Sequence, residues 1–164
     1  MPLVAPVGLW RVTSLTRRGL SNPNKGKCDI GYYINLERYF ADMGVQYLTV
    51  KDMTGLLNPH AATILVSELR EDIPDMHLHI HTHDTVGTVI DSMIASTNAG
   101  ADVVYASTDA MYRQPSQLLL GGISATVCGT NYDAKFDPYS LGVLNICQEN
   151  VCFLYFFFKS GQLS

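Results

Sequence analysis

Four stretches of the chain repeat apolar side chains at the spacing of a helix. They are residues 29–43, 61–70, 88–98 and 115–127. In the first stretch the apolar positions are Tyr33, Leu36, Phe40 and Met43. The second follows Asn58 and Pro59, residue types favoured at the N-cap and at the first helical position. The pattern therefore predicts four helices, of which the second has a defined start.

Short β-favouring runs separate these helices. They lie at 46–51, 77–82 and 102–106, and the second of them, HLHIHT, alternates strictly between apolar and polar residues. Strands and helices thus follow each other with a repeat of about 25–30 residues, which indicates parallel strands joined by crossover helices. Such a pattern fits either a doubly wound sheet or a β/α barrel. Since a closed barrel needs eight strands, these three predict about half of one.

The two ends of the chain differ from its middle. Residues 1–28 contain no Asp or Glu but five basic residues, as in a mitochondrial targeting peptide, although Pro2, Pro6 and Gly8 disfavour an amphipathic helix. A segment unrelated to the rest of the chain is the alternative. Val151–Phe158 is apolar and aromatic, but far shorter than the ~18 residues that span a bilayer. It fits a buried strand or a non-native tail.

Composition excludes several classes of function. The 164 residues have a formal net charge of −4, which gives no electrostatic reason to bind nucleic acid. The four cysteines are scattered without a CxxC pair, so we expect a reducing compartment and no zinc ribbon. No glycine-rich nucleotide loop is present. We therefore expect neither a nucleic-acid nor a membrane partner.

Four histidines, at 77, 79, 81 and 83, occupy alternate positions and so share one face if the strand persists. His81 and His83 come last, and in β/α barrels chemistry is located at the carboxyl ends of the strands. These two are candidate metal ligands, and packed or surface histidines are the alternative. Asp84 follows directly and either orients one imidazole from outside the ligand set or caps the next helix.

Lys51 also ends a predicted strand, thirty residues before His81. A lysine there is ordinarily an exposed cation or a partner for an acid such as Asp52. It can instead react with carbon dioxide to form an anionic carbamate that binds a metal. Because an unmodified ammonium would repel the ion, Lys51 is a ligand only in its carbamylated or deprotonated form.

Two long motifs of the chain resemble a known family. VKDMTGLLNPHAATILVSELR and LHIHTHDTVGTVIDSMIASTNAGADVV are similar to the HMGL-like carboxyltransferase domain of pyruvate carboxylases and to the alpha subunit of oxaloacetate decarboxylases. The similarity runs from about Ser21 to Asp137. It implies a non-homologous or targeting-like segment at 1–20, a partial carboxyltransferase barrel at 21–137 and a divergent tail at 138–164. The implied fold is α/β, a partial TIM (β/α)8 barrel.

This resemblance implies a site and a reaction. Carbamylated Lys51, His81 and His83 would bind Zn2+ or Mn2+, and the reaction would convert pyruvate and carboxybiotin to oxaloacetate. The biotin would be attached to a domain that this chain lacks. The protein itself would be located in the mitochondrial matrix in a eukaryote and in the cytoplasm otherwise.

The resemblance is incomplete. We find no counterpart of the family's aspartate ligand, its pyruvate-binding arginine or its proton-shuttling threonine, so we expect no activity from the chain alone and no assignable catalytic residue. Association with itself or with full-length subunits would complete the barrel. DAMYRQPSQLLLGG, at residues 109–122, also departs from the family's DSMSGMTSQPS. A metal-dependent acyl lyase like hydroxymethylglutaryl-CoA lyase, which lacks the lysine ligand, and a non-catalytic truncated product are the alternatives.

Overall fold

The computed structural model describes residues 8–11, 30–111 and 118–159. They form two compact units, one ending at Tyr105 and the other beginning at Ala106. The first unit contains both of the candidate ligand strands.

The first unit is a parallel sheet with helices between successive strands. Its strands are β1 (Gly8–Arg11), β2 (Tyr47–Asp52), β3 (His77–Thr82) and β4 (Val103–Val104). Its helices are α1 (Ile30–Asp42), α2 (Pro59–Asp72) and α3 (Val89–Asn98). The strands are hydrogen-bonded in the order β1-β2-β3-β4, which is their order in the chain. A doubly wound sheet reverses its strand order at a switch point, whereas a barrel does not. The predicted α/β fold, a partial barrel, is confirmed.

The apolar core lies between the sheet and its helices. Leu48 and Val50 of β2 and Leu78 and Ile80 of β3 are at most 4% exposed. From the helices, Leu65 of α2 and Met93 of α3 are fully buried, together with Ala62 and Val66. Since strand residues alternate between faces, the histidines and Lys51 project from the opposite face of the sheet. The strict alternation in HLHIHT predicted this division correctly.

Helix α2 begins where the sequence predicts. The Asn58 side-chain oxygen accepts a hydrogen bond of 2.9 Å from the Ala61 amide, and Pro59 occupies the first turn. This arrangement satisfies one amide that the helix itself leaves without a partner. The predicted N-cap is confirmed.

Arg70, near the end of α2, binds backbone at the amino-terminal end of the sheet. Its guanidinium donates to the carbonyl of Met76 at 2.8 Å, to that of Gly100 at 2.7 Å and 3.0 Å, and to that of Pro74 at 3.0 Å. It also forms an ion pair with Asp102, whose carboxylate accepts from the Leu78 amide at 2.8 Å. One side chain thus connects α2 with the segments that lead into β3 and β4.

The second unit has short strands and two helices. They are β5 (Ala106–Ser107), paired in parallel with β6 (Leu118–Leu119), then α4 (Leu120–Val127) and α5 (Pro138–Lys159). A 3-10 turn at Asp109–Met111 follows β5. The Asp109 carboxylate accepts from the Gly121 amide at 2.9 Å and from the Asn145 amide group at 3.2 Å. Asp109 therefore connects the turn with both helices.

Several expectations from the sequence differ from the structure. Val151–Phe158 belongs to α5 rather than to a buried strand, and Val151 and Phe153 are more than half exposed. The strand expected at 102–106 is divided between two short strands, Val103–Val104 and Ala106–Ser107. The helix expected at 115–127 begins at Leu120, and its first positions lie outside the described residues. In the part of the chain that the structure describes, no helix is long and apolar enough to cross a membrane.

The strand Gly8–Arg11 was not predicted. It pairs in parallel with β2, so that Arg11 lies at the level of Lys51. It falls within the segment 1–20 for which we expected a non-homologous or targeting-like sequence, most of which lies outside the described residues. The predicted domain boundaries stay predictions.

Candidate metal centre

Lys51 and His81 occupy the same level of adjacent parallel strands. The register pairs Lys51 of β2 with His81 of β3, and Asp52 with Thr82. Neighbouring strands in a sheet are about 4.7–4.9 Å apart, and residues paired in register point to the same face. Both positions come at the carboxyl ends of their strands, as the sequence predicts. The fold therefore brings the lysine and the first imidazole to one place.

The His81 and His83 rings face each other across this end of β3. Their Nε2 atoms are 3.3 Å apart, and their ring centroids are separated by 5.3 Å. Two imidazole nitrogens that bind one tetrahedral zinc ion at ~2.0–2.1 Å are themselves about 3.3–3.4 Å apart. The observed separation thus fits a shared metal ion with both nitrogens as ligands. Both rings are half-buried, which leaves the site accessible.

Burial and neighbouring charge both lower the pKa of His81. Desolvation is the largest cause, followed by the positive charge of Lys51 and then by His83. A lowered pKa keeps the imidazole neutral at physiological pH, which is the form that binds metals. The same lysine charge would oppose a cation at this position, so the site in this form is not yet suited to a metal. Conversion of Lys51 to a carbamate would change the sign of that interaction.

The other two histidines of β3 lie away from this end of the strand. The His77 ring stacks on Tyr47 at 5.4 Å, and His79 Nδ1 is 3.2 Å from the Tyr105 hydroxyl. Burial, more than the nearby His77, lowers the pKa of His79. We conclude that the two pairs of histidines have different surroundings, as expected from their positions along the strand.

Sequence reasoning missed Tyr105. Its ring lies 5.7 Å from that of His81 and 5.9 Å from that of His79, so it contacts the candidate site from beyond β4. The only signal was its position within the β-favouring run at 102–106, and a tyrosine there gives no indication of a site because tyrosine is common in strands. Asp84 follows His83 at the same end of the sheet, and its role outside the ligand set stays a prediction.

A metal ion at this site would need a ligand other than histidine, cysteine and carboxylate side chains. Among residues 8–11, 30–111 and 118–159, no group of three or more His, Cys, Asp or Glu side chains is arranged to hold a metal ion. His81 and His83 provide two nitrogens, and a third ligand from this sheet would have to be Lys51 after modification. A tetrahedral ion needs a fourth ligand in addition.

Comparison with known proteins agrees with the fold and with the position of these motifs. The chain is 38% identical over 153 residues to pyruvate carboxylase of Schizosaccharomyces pombe, which is 93% of this chain and 13% of that protein. It is 42% identical over 116 residues to the mitochondrial pyruvate carboxylase of Homo sapiens, covering 71% of this chain and 10% of that protein. The chain thus spans about an eighth of the length of these relatives.

Solved structures give the same result. The carboxyl transferase domain of Rhizobium etli pyruvate carboxylase, determined with oxalate, superposes with a TM-score of 0.75 at 37% identity. The match covers 80% of this chain and 22% of that domain. The HMGL-like family itself matches residues 12–110, a range that includes both β2 and β3. From this match, from the identities and from the strand order, we conclude that the chain belongs to the HMGL-like family.

Proposed function

We propose that this chain is the metal-binding part of a biotin-dependent carboxyltransferase barrel that converts pyruvate and carboxybiotin to oxaloacetate. The observation that supports this most directly is the 3.3 Å separation of the His81 and His83 Nε2 atoms, beside a lysine in register with His81. The pyruvate carboxylase relatives supply the reaction. A lyase of the same family is the weaker candidate, because it has no use for a lysine at this position.

Lys51 is proposed to act as a carbamate. The ammonium first loses a proton to solvent, and the neutral amine then adds to carbon dioxide. A C–N bond forms as one C=O π bond opens, and a second proton leaves to solvent, so that an ammonium becomes an anion. The conversion replaces a charge that repels a cation with an oxygen ligand that attracts one. Neutral His81, whose pKa is lowered, offers its Nε2 lone pair to the same ion without first losing a proton.

Carbamylated Lys51, His81 and His83 would hold Zn2+ or Mn2+, and the bound ion would supply positive charge beside the substrate. The chain's own contribution is placement. The two imidazoles and the lysine extend from neighbouring strands of a rigid sheet, which is a more exact support than a loop. Tyr105 flanks His81 and limits the positions that the ring can adopt. Asp84 is proposed to orient one imidazole from outside the ligand set.

Biotin would reach the site on a carrier domain elsewhere in the full protein or on a partner. The relatives are far longer than this chain, so we propose that the chain alone has no carboxyltransferase activity and that it acts with other subunits or copies of itself. For a eukaryotic source we propose the mitochondrial matrix, in line with the names of the mammalian relatives. Decarboxylation of oxaloacetate by the purified chain with free biotin would contradict the proposed inactivity.

Metal and carbamate binding can be tested together. The purified chain is dialysed against Zn2+ or Mn2+ with 13C-bicarbonate, its metal content is measured, and carbamate is detected by 13C NMR. We expect binding of one ion and a carbamate signal that Lys51→Ala abolishes. His81→Ala and His83→Ala should each reduce metal content, while His77→Ala, at the opposite end of the same strand, should not. Equal loss in all three histidine variants would contradict the assignment.

A further inference from the structure

Asp52 follows Lys51 and has a side chain that is fully buried on the other face of the sheet. A buried carboxylate is stable only when hydrogen bonds replace its water. This one accepts four of them, from the Thr54 amide at 3.1 Å, the Thr54 hydroxyl at 2.9 Å, the Leu57 amide at 2.8 Å and the Thr82 hydroxyl at 2.9 Å. These four donors satisfy both oxygens of the buried carboxylate at the end of β2.

The Thr82 bond joins the two strands that hold the candidate ligands. Thr82 stands between His81 and His83, is 1% exposed, and lies opposite Asp52 in the register. The His83 amide also donates to the Asp52 carbonyl at 3.2 Å. Asp52 therefore contacts the histidine strand through both its side chain and its backbone, next to Lys51.

The two loops that leave these strands are also packed against each other. The Thr85 hydroxyl donates to the Thr54 carbonyl at 2.6 Å. A Cβ at Gly55, whose φ is +66°, would lie 2.3 Å from the His83 carbonyl oxygen. Close approach of the two backbones thus requires a glycine there. The same loops flank the histidine pair and Lys51.

We infer that Asp52 and Thr82, with Thr54, form a strand-end clasp that sets the position of Lys51 relative to His81 and His83. These are positioning residues, since their side chains face away from the proposed ion. The function that we assign to the clasp rests on the proposed metal site, whereas its hydrogen bonds are observed in the structure. Fixed placement matters because loss of such supporting contacts typically weakens metal binding by about 10–100-fold.

The test compares Thr82→Val with Thr82→Ser in the full chain. Valine keeps the shape of threonine but removes the hydroxyl, whereas serine keeps the hydroxyl. Co2+ with bicarbonate serves as the probe, and its visible absorption reports ligand geometry. We expect Thr82→Val to weaken Co2+ binding by about 10–100-fold and to alter the spectrum, and Thr82→Ser to restore both. Thr63→Val, which removes an exposed hydroxyl of α2 bonded to the Pro59 carbonyl, is the matched control.

A second readout needs no metal. Nuclear Overhauser contacts between the His81 and His83 rings, and slow exchange of the Leu57 and His83 amides, should be present in the unmodified chain and in Thr82→Ser. They should be weakened in Thr82→Val. If the unmodified chain shows these signals but binds no Co2+, the metal proposal fails and the clasp stands. If Thr82→Val keeps the ring contacts and the slow amides, the clasp is refuted.

Should Thr82→Val fail to fold, Thr54→Val provides the same comparison at an exposed position. It removes the 2.9 Å hydroxyl bond to Asp52 and leaves the amide bond in place. Ring contacts weaker than those in Thr63→Val would support the clasp, and unchanged contacts would refute it.

Discussion

Lys51 lies in register with His81 on the adjacent strand, and burial, followed by the charge of this lysine, lowers the pKa of that imidazole. Removal of the lysine charge tests this relationship. In Lys51→Met the repulsion is absent, so we predict that the pKa of His81 rises towards its ordinary value. Burial and His83 would still hold it below that value.

The measurement is an NMR titration of the His81 ring in bicarbonate-free buffer. Lys135→Met, a change in the second unit, is the control and should leave the titration unchanged. An unchanged or lowered His81 pKa in Lys51→Met would contradict the arrangement, because it would mean that no positive charge of the lysine acts on the ring.

Glu37 predicts an unusual dependence of stability on pH. It is 1% exposed, neither carboxyl oxygen has a hydrogen-bond partner among the described residues, and burial followed by the charge of Asp72 raises its pKa from 4.5 to about 8. Arg70 and Arg38 act in the opposite direction without cancelling these effects. The folded chain therefore holds a proton that the unfolded chain releases above pH 4.5.

Because the folded state binds this proton more tightly, its contribution to stability is complete below pH 4.5 and is lost as the pH rises to about 8. The loss amounts to at most about 5 kcal/mol. Urea unfolding at pH 6 and at pH 8.5 measures the part of this loss that falls above pH 6, at most about 3 kcal/mol. Glu37→Gln should remove most of that difference. Equal stability of the unmodified chain at both values would show that Glu37 is ionised throughout.

Gly55 predicts a steric limit in the loop after β2. In Gly55→Ala the new Cβ would lie 2.3 Å from the His83 carbonyl oxygen and from the Thr85 hydroxyl, at a φ of +66°. Separation of the two loops should cost about 2–4 kcal/mol in the free energy of unfolding. Gly87→Ala is the matched control, since its φ is +76° and no atom lies within 4 Å of its Cβ.

The control variant should lose only about 1 kcal/mol, which is the cost of the backbone conformation alone. Chemical denaturation of both variants gives the comparison. Equal losses in Gly55→Ala and Gly87→Ala would mean that the close approach of the loops is not maintained in solution.

Replacement of Arg70 and of Arg38 by alanine should lower the stability of the chain to different extents. Arg70→Ala removes the donors to three backbone carbonyls and the ion pair with Asp102, and should destabilise the chain by roughly 2–4 kcal/mol. Arg38→Ala removes an ion pair with Asp72 from a side chain that is 61% exposed, and should have a much smaller effect because water and salt screen an exposed pair. Thermal unfolding in parallel distinguishes them, and the opposite ranking would contradict the assignment.

Local rules were sufficient for the part of the fold that contains the site. Alternation in HLHIHT identified a strand with one buried face, and Asn58 with Pro59 identified a helix start, because both depend on residues close in the chain. The level of Lys51 beside His81 also followed from the repeat length, since both end strands of similar size. Patterns within short stretches of the chain were therefore enough to predict that Lys51 and His81 lie side by side.

Other features depend on tertiary contacts and escaped prediction. Met43 completes the apolar pattern predicted at 29–43, but it follows the end of α1 and is 57% exposed. Glu37 of α1 is instead buried, because burial depends on which face of the helix packs against the rest of the unit. Val151–Phe158 has the composition of a strand but continues a helix that begins at Pro138. Gly8–Arg11 pairs with β2, a contact between segments that are far apart in the chain.

Arg70 and the strand-end clasp lie at opposite rims of the sheet, so mutational tolerance should divide along the same line. At the amino-terminal rim, Arg70 donates hydrogen bonds to carbonyls of two segments. Changes there would alter the resistance of the protein to heat and proteolysis. Changes at the other rim would alter the proposed binding of a metal ion. Substitutions at the rim of the strand-end clasp could therefore accumulate during evolution while the contacts of Arg70 continue to stabilise the fold.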